Sequence, residues 1–211
     1  RVIVMRPAPV WTETGPLSPA DPHFDPFWAR VNEAGITVVI HAGDSGYSSN
    51  GYAKDGFGAS FEGGGGGYGP SIKMLNIERA AYDFLITLSY SRLYERFPNL
   101  RIASIENGAE FLGDLIRALG RTKERVRGYF RDDPVDNFRE HVWINPFWED
   151  NIPEVIEHMG ADRVILGSDW PHMEGLAQPR DILEEVEGIP AADQAKILYS
   201  NVTALNERRP L

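Results

Sequence analysis

Short apolar runs, each ended by a glycine or a polar residue, recur along this chain and alternate with stretches of helical spacing. None of them alternates apolar and polar residues with the period of two that marks a sheet with one wet face. Continuous apolar runs of this length are typical of parallel strands that are buried on both faces. The pattern therefore predicts a parallel sheet, with strands at Val2–Met5, Thr37–Ile40, Arg101–Ile105, Val142–Ile144 and Arg163–Leu166.

Apolar residues at helical spacing separate these runs and predict helices that cover the sheet. Asp25 is predicted to cap the first helix, with Pro26 in its first turn and Gly35 at its end. Five strand–helix units in 211 residues predict a single α/β domain over residues 1–211. The predicted helices are Pro26–Ala34, Ile77–Arg96, Ala109–Arg127, Ile152–Met159, Arg180–Glu187 and Ala191–Leu205.

Two long connections interrupt this alternation. A Pro-rich loop is predicted over Pro7–Pro26, and a Gly-rich loop runs from Ala42 to about Lys73, with five consecutive glycines after Glu62. The glycines favour a flexible linker, whereas a loop of this length inside a compact domain is often a mobile lid. Both interpretations stay open.

Composition narrows the possible partners and ligands. A net charge of −10 argues against nucleic acid and anionic membranes as partners, and no apolar run approaches the length of a transmembrane helix. The chain has no cysteine, which excludes disulfides, thiolate catalysis and Cys-bound metal. Any metal ligands must then be His, Asp, Glu or water. The lack of cysteine also fits a cytoplasmic location.

Side chains capable of catalysis or metal binding stand just after the predicted strands. In a closed parallel barrel these strand ends meet on one face. His41, Glu106 and Asp169 would then form a set of nitrogen and oxygen ligands suited to a hard or borderline divalent ion. In chain order the candidates are His41 and Asp44 after the second strand, Glu106 and Asn107 after the third, Asn145 after the fourth, and Asp169 and His172 after the fifth.

Each of these residues also has a structural interpretation. A single histidine after a strand is often only hydrogen-bonded within the fold, and Asp169 before Trp-Pro is also typical of a turn or a helix cap. Glu106-Asn-Gly is also typical of a tight turn, and His172 can simply orient Asp169 or lie at the rim. The remaining histidines are interpreted as surface or structural residues: His23, His141 and His158.

Three motifs resemble those of amidohydrolase-related, metal-dependent TIM-barrel hydrolases, a group that includes carboxymuconate-semialdehyde and aromatic-acid decarboxylases. They are Val38-Val-Ile-His41-Ala-Gly, Arg101-Ile-Ala-Ser-Ile-Glu-Asn-Gly108 and Val164-Ile-Leu-Gly-Ser-Asp169-Trp-Pro-His172. The resemblance implies a (β/α)8 TIM barrel, of which this chain supplies strands four to eight. It implies His41 as a metal ligand and Asp169 as a metal ligand and proton acceptor. The implied cofactor is a divalent ion, zinc or alternatively manganese.

The chain departs from the family pattern at two places. The strand-one motif, His-x-His or an acid-x-His, supplies two more metal ligands and does not occur here, so about three strand–helix units are expected to be missing before Arg1. His41 and Asp169 alone fall short of the three protein ligands of a typical catalytic zinc. At strand six, Glu106 stands where many relatives have histidine. It can act as a ligand or as an acid–base residue, and it disfavours decarboxylation.

Substrate contacts are predicted as well. By the resemblance, Arg117 stands where decarboxylase relatives carry an arginine that grips a substrate carboxylate, sometimes across a dimer interface; a solvated helix charge is the alternative. Asn145 and Trp170 are expected to contact a small-molecule substrate. Further aromatic side chains either line the pocket or pack at its rim: Phe147, Trp148, Tyr47 and Tyr68.

The leading hypothesis is a metal-dependent hydrolase in which Asp169 takes a proton from a metal-activated water, with Glu106 and His172 as further catalytic residues. A non-oxidative decarboxylase of a carboxylated, possibly aromatic substrate is the second hypothesis. The third is an inactive partial barrel that binds a ligand or assembles with another chain, because five strands leave open edges. A homodimer is the expected assembly.

Overall fold

A parallel sheet of apolar strands forms the centre of this protein. The computed structural model describes residues 2–43, 45–46, 72–172, 175–209 and 211, with only the backbone described for 72–77. Its strands are β1 (Val2–Met5), β2 (Val10–Thr12), β3 (Gly15–Leu17), β4 (Thr37–His41), β5 (Arg101–Ile105) and β6 (Val142–Ile144). Strands β1, β4, β5 and β6 are parallel and lie in that order. The predicted parallel α/β arrangement is confirmed.

Strands β4 and β5 are buried on both faces, as their continuous apolar runs predicted. Thr37 pairs with Arg101 at one end of the two strands, and His41 pairs with Ile105 at the other. Successive side chains of a strand point to opposite faces. Accordingly Val38, Ile40 and Ile102 belong to one hydrophobic cluster, whereas Val39, Ala103 and Ile105 belong to another.

The fifth predicted strand, Arg163–Leu166, is reduced to one parallel bridge between Ile144 and Val164. Arg163 instead belongs to a 3-10 turn. The Leu166 N–H donates to the Ile197 carbonyl at 2.9 Å, so the backbone leaves the sheet for the closing helical segment. The prediction of a four-residue strand was therefore wrong, although its place in the sheet was right.

The Pro-rich connection contains a hairpin where a loop was predicted. Val10 pairs with Leu17 and Thr12 with Gly15 in antiparallel register, and the Thr12 hydroxyl donates to the Gly15 carbonyl at 2.7 Å across the turn. Pro16 lies within β3, where a two-stranded ribbon tolerates the missing donor. The loop prediction over Pro7–Pro26 was therefore wrong for this part of the segment, where a short hairpin forms.

The helices lie close to their predicted positions, with several different boundaries. They are α1 (Asp25–Ala34), α2 (Ile72–Tyr90), α3 (Leu93–Arg96), α4 (Leu112–Arg125), α5 (Pro134–His141), α6 (Ile152–Met159), α7 (Ala191–Ala195) and α8 (Asn201–Asn206). A π-helical segment, Lys196–Ser200, joins the last two. No helix in the described part of the chain is long and apolar enough to cross a membrane.

Local capping explains where the helix predictions failed. Asp25 is the first residue of α1 rather than its cap, and its carboxylate pairs with Arg96. The predicted Ile77–Arg96 helix begins at Ile72 and breaks at Arg92, whose φ is 53°. Helix α5 was not predicted, although Asp133 caps it by accepting from the Val135 N–H at 2.9 Å. The predicted helix Arg180–Glu187 is a 3-10 helix, Pro179–Val186.

The amino ends of β4 and β5 are tied to the end of the chain. The Arg101 guanidinium donates to the carbonyls of Ala204, Gly35 and Glu207 at 2.8, 2.6 and 2.6 Å. The Thr37 hydroxyl donates to the Leu205 carbonyl at 2.6 Å. A buried guanidinium that satisfies three carbonyls holds the last helix against the sheet. These contacts lie at the opposite end of the strands from His41 and Glu106.

His141 is a histidine whose burial favours the neutral ring. Its ring is 4% exposed and stacks on Tyr94 with a centroid distance of 4.9 Å. Its Nδ1 donates to the Leu100 carbonyl at 2.7 Å. Burial lowers the pKa of His141 below the ordinary histidine value. The structural interpretation of this histidine is consistent with its position in the core.

We expect the folded protein to lose stability as the pH falls through about 6.5, because the unfolded chain then binds a proton at His141 that the buried ring resists. His141→Asn keeps a donor for the Leu100 carbonyl but cannot titrate. Between about pH 7.5 and about pH 5.5 its thermal unfolding midpoint should fall by roughly 2–4 °C less than that of the wild type. His23→Asn, at an exposed histidine, is the control. An equal fall in wild type and His141→Asn would contradict this expectation.

Candidate metal centre

The two acidic residues of the candidate site, Glu106 and Asp169, share an unusual backbone conformation. Glu106 directly follows β5, and Asp169 follows the short strand segment at Val164. Both residues have a φ of 55°, a left-handed conformation that is uncommon for residues other than glycine. Strained conformations of this kind are concentrated at functional sites. The backbone is thus turned sharply at the two places where the acidic side chains are presented.

Glu106, Asp169 and His172 form a group that could hold a metal ion. Each offers one ligand atom, and these three atoms lie within 4.8 Å of one another. The His172 Nδ1 lies 3.8 Å from the Asp169 Oδ1, and the His172 N–H donates to the Asp169 carbonyl at 2.9 Å. Because His172 is held in the same turn as Asp169, the two side chains reach the group together. The sequence predicted all three residues as catalytic, with Asp169 as a ligand and Glu106 as either a ligand or an acid–base residue. It did not name His172 as a ligand.

His41 lies beside this group and contacts Glu106. The His41 Nε2 is 3.1 Å from the Glu106 Oε2, and the His41 Nδ1 lies 3.0 Å from the Ala42 carbonyl. A carbonyl only accepts, so Nδ1 carries a proton and Nε2 faces the carboxylate. Both atoms of this contact can act as metal ligands, so a cation near them would stabilise it. The predicted role of His41 as a metal ligand stays a prediction, and its position is compatible with it.

The chemistry of these donors fits a divalent ion. The group offers carboxylate oxygen and imidazole nitrogen, which suit zinc and manganese, and the chain has no thiolate to compete. Adjacent ligands on a tetrahedral zinc lie about 3.3–3.4 Å apart, close to the observed separation of His41 and Glu106. Three donors in one group, with His41 beside them, exceed the two ligands that the family resemblance implied, His41 and Asp169.

The turn after Glu106 is packed so closely that only glycine fits at position 108. Gly108 has a φ of 68°, and a Cβ there would lie 2.3 Å from the Glu78 Oε1 and 2.8 Å from the Phe147 ring. The Glu78 Oε1 also accepts from the Glu110 N–H at 3.2 Å. Glu78 on α2 therefore packs directly against the turn that presents Glu106.

Two acidic residues near this turn have raised pKa values. Burial is the main cause for Glu78, whose pKa rises to about 7, with smaller contributions from the charges of Asp150 and Glu110. Burial also raises the pKa of Asp150, whose carboxylate accepts from the Phe147 N–H at 2.7 Å. The sequence did not identify either residue, because they lie on separate elements and form no motif.

The loop that carries Asp169 folds back on itself. The Leu176 N–H donates to the Ser168 carbonyl at 2.8 Å, and the Trp170 N–H donates to the Ser168 hydroxyl at 3.3 Å. A Cβ at Gly175 would lie 2.7 Å from the Asp169 carbonyl oxygen. Glycine at this position therefore allows the returning chain to approach Asp169. The peptide bond between Trp170 and Pro171 is cis.

The side-chain amide of Asn145 forms hydrogen bonds with the backbone of neighbouring segments. Its Nδ2 donates to the carbonyls of Pro146 and Ile165 at 3.2 and 3.1 Å, and its Oδ1 accepts from the Glu106 N–H at 3.4 Å. These bonds connect the carboxyl end of β6 with that of β5 and with the neighbouring segment. The predicted contact of Asn145 with a substrate stays a prediction.

The predicted substrate residues lie in different surroundings. Trp170 is 60% exposed and Trp148 is 37% exposed, so both have surface available for a ligand or a partner, while Phe147 packs on Gly108. Arg117 lies on the exposed side of α4 and pairs with Asp114. Its predicted grip on a carboxylate stays a prediction. Asp44, Tyr47 and Tyr68 lie outside the described residues.

Comparison with known families matches residues 10–205 to the family described as Amidohydrolase. Among solved structures, an amidohydrolase from Mycobacterium avium subsp. paratuberculosis K-10 is 36% identical, with a TM-score of 0.85, over 99% of this chain and 51% of its own. Comparison with curated proteins gave no match.

Structures of decarboxylases share the fold at lower identity. A 2,6-dihydroxybenzoate decarboxylase in complex with 2,6-dihydroxybenzoate is 20% identical with a TM-score of 0.68, over 96% of this chain and 60% of its own. A dihydroxybenzoic acid decarboxylase from Polaromonas sp. JS666, with bound manganese and 2-nitroresorcinol, is 20% identical with a TM-score of 0.61. The match covers 90% of this chain and 55% of the decarboxylase chain. This chain therefore spans 51% to 60% of the lengths of these three structures.

Glu78→Gln should make the protein more stable above neutral pH. The raised pKa of Glu78 means that the unfolded chain loses this proton first, so stability falls as the pH rises from about 4.5 through about 7. Glutamine keeps an oxygen for the Glu110 N–H and removes the titration. The thermal unfolding midpoint of the variant should exceed that of the wild type by about 2–4 °C at about pH 8.

The matched control for this experiment is Glu157→Gln, at an exposed glutamate of α6. It should leave the pH dependence of unfolding as it is in the wild type. A Glu78→Gln variant with an unchanged midpoint at high pH would contradict the role assigned to burial.

Proposed function

We propose that this chain, which belongs to the amidohydrolase family, acts as a metal-dependent hydrolase on a small-molecule substrate. The observation that carries the proposal is the group formed by Glu106, Asp169 and His172, whose ligand atoms lie within 4.8 Å of one another. The group follows the carboxyl ends of parallel strands, where barrel enzymes of this architecture have their active sites. The 36% identical structure is that of an amidohydrolase, which supports hydrolysis as the reaction class.

Glu106, Asp169 and His172 would hold the ion, with His41 as a fourth donor beside Glu106. Zinc is the ion that we propose, and manganese is the alternative, because nitrogen and oxygen donors serve both. A divalent ion in such a site lowers the pKa of a bound water towards neutrality and polarises the bond to be hydrolysed.

The side chains of the site have different proposed roles in the reaction. Asp169 is half-sheltered, with 27% of its side chain exposed, and is the proposed acceptor of a proton from the attacking water. His172 is 55% exposed and is the proposed route for that proton to solvent. The His41–Glu106 contact at 3.1 Å holds the second carboxylate in a fixed orientation. Trp170, which is largely exposed, is the proposed contact for an apolar part of the substrate.

The purified protein should bind a divalent ion through these residues. Asp169→Ala and Glu106→Gln each remove a charged ligand atom, and each should weaken zinc or manganese binding more than about 100-fold, above the range known for outer-shell changes. Metal content after dialysis and titration with each ion are the measurements. Glu110→Gln, an exposed carboxylate near the same turn, is the control and should bind as the wild type does. A folded wild type that binds no divalent ion would overturn the proposal.

Non-oxidative decarboxylation of a carboxylated, possibly aromatic substrate is the second proposal. The observation in its favour is Arg117, whose guanidinium is exposed on α4 and pairs there with the exposed carboxylate of Asp114. In a homodimer this arginine would hold a carboxylate through its two-pronged donor geometry. Glu106 in place of the histidine of many relatives makes this proposal the weaker one.

The Arg117→Ala variant tests whether decarboxylation, rather than hydrolysis, is the activity. If decarboxylation is the activity, loss of a bidentate ion pair should lower kcat/KM on carboxylated substrates by about tenfold to 100-fold. Arg125→Ala, an exposed arginine on the same helix, should leave kcat/KM unchanged. Unchanged turnover of carboxylated substrates by a folded Arg117→Ala protein would contradict the second proposal and leave the first intact.

A further inference from the structure

We propose that Asn107 is a positioning residue that fixes the spacing of the β4 and β5 ends, and thereby of His41 and Glu106. This inference rests on the proposed function, because Asn107 acts through residues assigned to the metal. Asn107 follows Glu106 directly and is fully buried. A side chain with no exposed surface cannot meet a substrate in solution, so its role must be carried by contacts inside the fold.

The side-chain amide of Asn107 bridges the two strands just before their functional residues. Its Nδ2 donates to the Ile40 carbonyl at 3.0 Å and to the Ile105 carbonyl at 2.9 Å. Ile40 is the residue before His41, and Ile105 is the residue before Glu106. A third contact, to the Ser104 hydroxyl at 3.1 Å, holds the amide in place. Because both carbonyls can only accept, the nitrogen of the amide is the atom that faces them.

This bridge lies where the backbone ladder between the strands becomes weak. The Ala42 N–H reaches the Ile105 carbonyl at 3.4 Å, which is long for a backbone hydrogen bond. The Asn107 amide meets the same Ile105 carbonyl at 2.9 Å. The side chain therefore supplies the tight connection between the strands at the level where His41 and Glu106 emerge.

The side-chain oxygen of Asn107 lacks a hydrogen-bond partner in the described part of the chain, which indicates that this position requires the side-chain nitrogen as a donor. The Asn107 Oδ1 is buried and has no hydrogen-bond partner among the residues that the structure describes. An unsatisfied buried acceptor is unfavourable, and an apolar side chain of similar size would avoid it. Leucine or alanine would, however, remove the donor that bridges the carbonyls of Ile40 and Ile105, and Ile105 would keep the long contact with the Ala42 N–H. Aspartate would set a carboxylate against both carbonyl oxygens.

A structural role and a positioning role predict different results in a metal-binding experiment. Asn201 is the matched control, because it is also buried and its Nδ2 donates to two carbonyls, of Ala161 and Val164, at 2.8 and 2.7 Å. Those carbonyls precede Asp169 by several residues and do not adjoin a proposed ligand. Asn201→Ala should lower the thermal unfolding midpoint and leave the affinity for zinc or manganese within about threefold of the wild type.

Asn107→Ala should lower the midpoint as well, but it should also weaken zinc and manganese binding about tenfold to 100-fold, the range for residues that orient metal ligands. Asn107→Ser keeps one donor in a smaller side chain and should give an intermediate affinity; it replaces the alanine variant if that protein does not fold. The measurements are titration of the metal-free proteins with each ion and thermal unfolding of the same samples.

The outcomes distinguish this inference from the function on which it rests. A wild-type protein that binds no divalent ion overturns both. Wild-type binding that is unchanged in folded Asn107→Ala or Asn107→Ser overturns only the positioning role, and leaves Asn107 as a structural residue like Asn201. Weaker binding in the Asn107 variants together with unchanged binding in Asn201→Ala supports it.

Discussion

The parallel pairing of β4 with β5 is the constraint on which the candidate site depends. Because His41 pairs with Ile105, Glu106 emerges beside His41, and their side chains meet at 3.1 Å. A slip of one residue would exchange the faces of every side chain on one strand, separating the histidine from the carboxylate and exposing buried valines and isoleucines. The hydrophobic core therefore sets the register, and the register sets the distance between the proposed ligands.

The contacts that stabilise the fold and the residues of the candidate site lie at opposite ends of β4 and β5. At the amino ends, Arg101 and Thr37 bind the carbonyls of the closing segment and hold the last helix on the sheet. At the carboxyl end of β5, Glu106 adopts a left-handed backbone conformation that costs free energy, and so does Asp169 after the neighbouring segment at Val164. The tightly packed end supports the strained end, which is the usual distribution in barrels of parallel strands.

The sequence predicted the elements that depend on apolar runs and missed those that depend on side-chain contacts. The bounds of β5 and β6 follow from their hydrophobic pattern, and α6 follows from its spacing and Gly160. The β2–β3 hairpin was not predicted, because it lies in the Pro-rich connection. The strand at Val164 is short because Leu166 finds its backbone partner on the closing helical segment, a contact between residues distant in sequence. Glu78 and Asp150 could not be found because burial alone distinguishes them.

For the site, the sequence identified the residues individually and the structure supplies their arrangement. Glu106, which the sequence allowed as a ligand or as an acid–base residue, brings a second carboxylate within 4.8 Å of Asp169. Two such charges repel by about 3 kcal/mol at an effective dielectric constant of about 20. A divalent cation held between the two carboxylates would offset both charges. The position of Glu106 therefore supports the proposal of a bound metal ion.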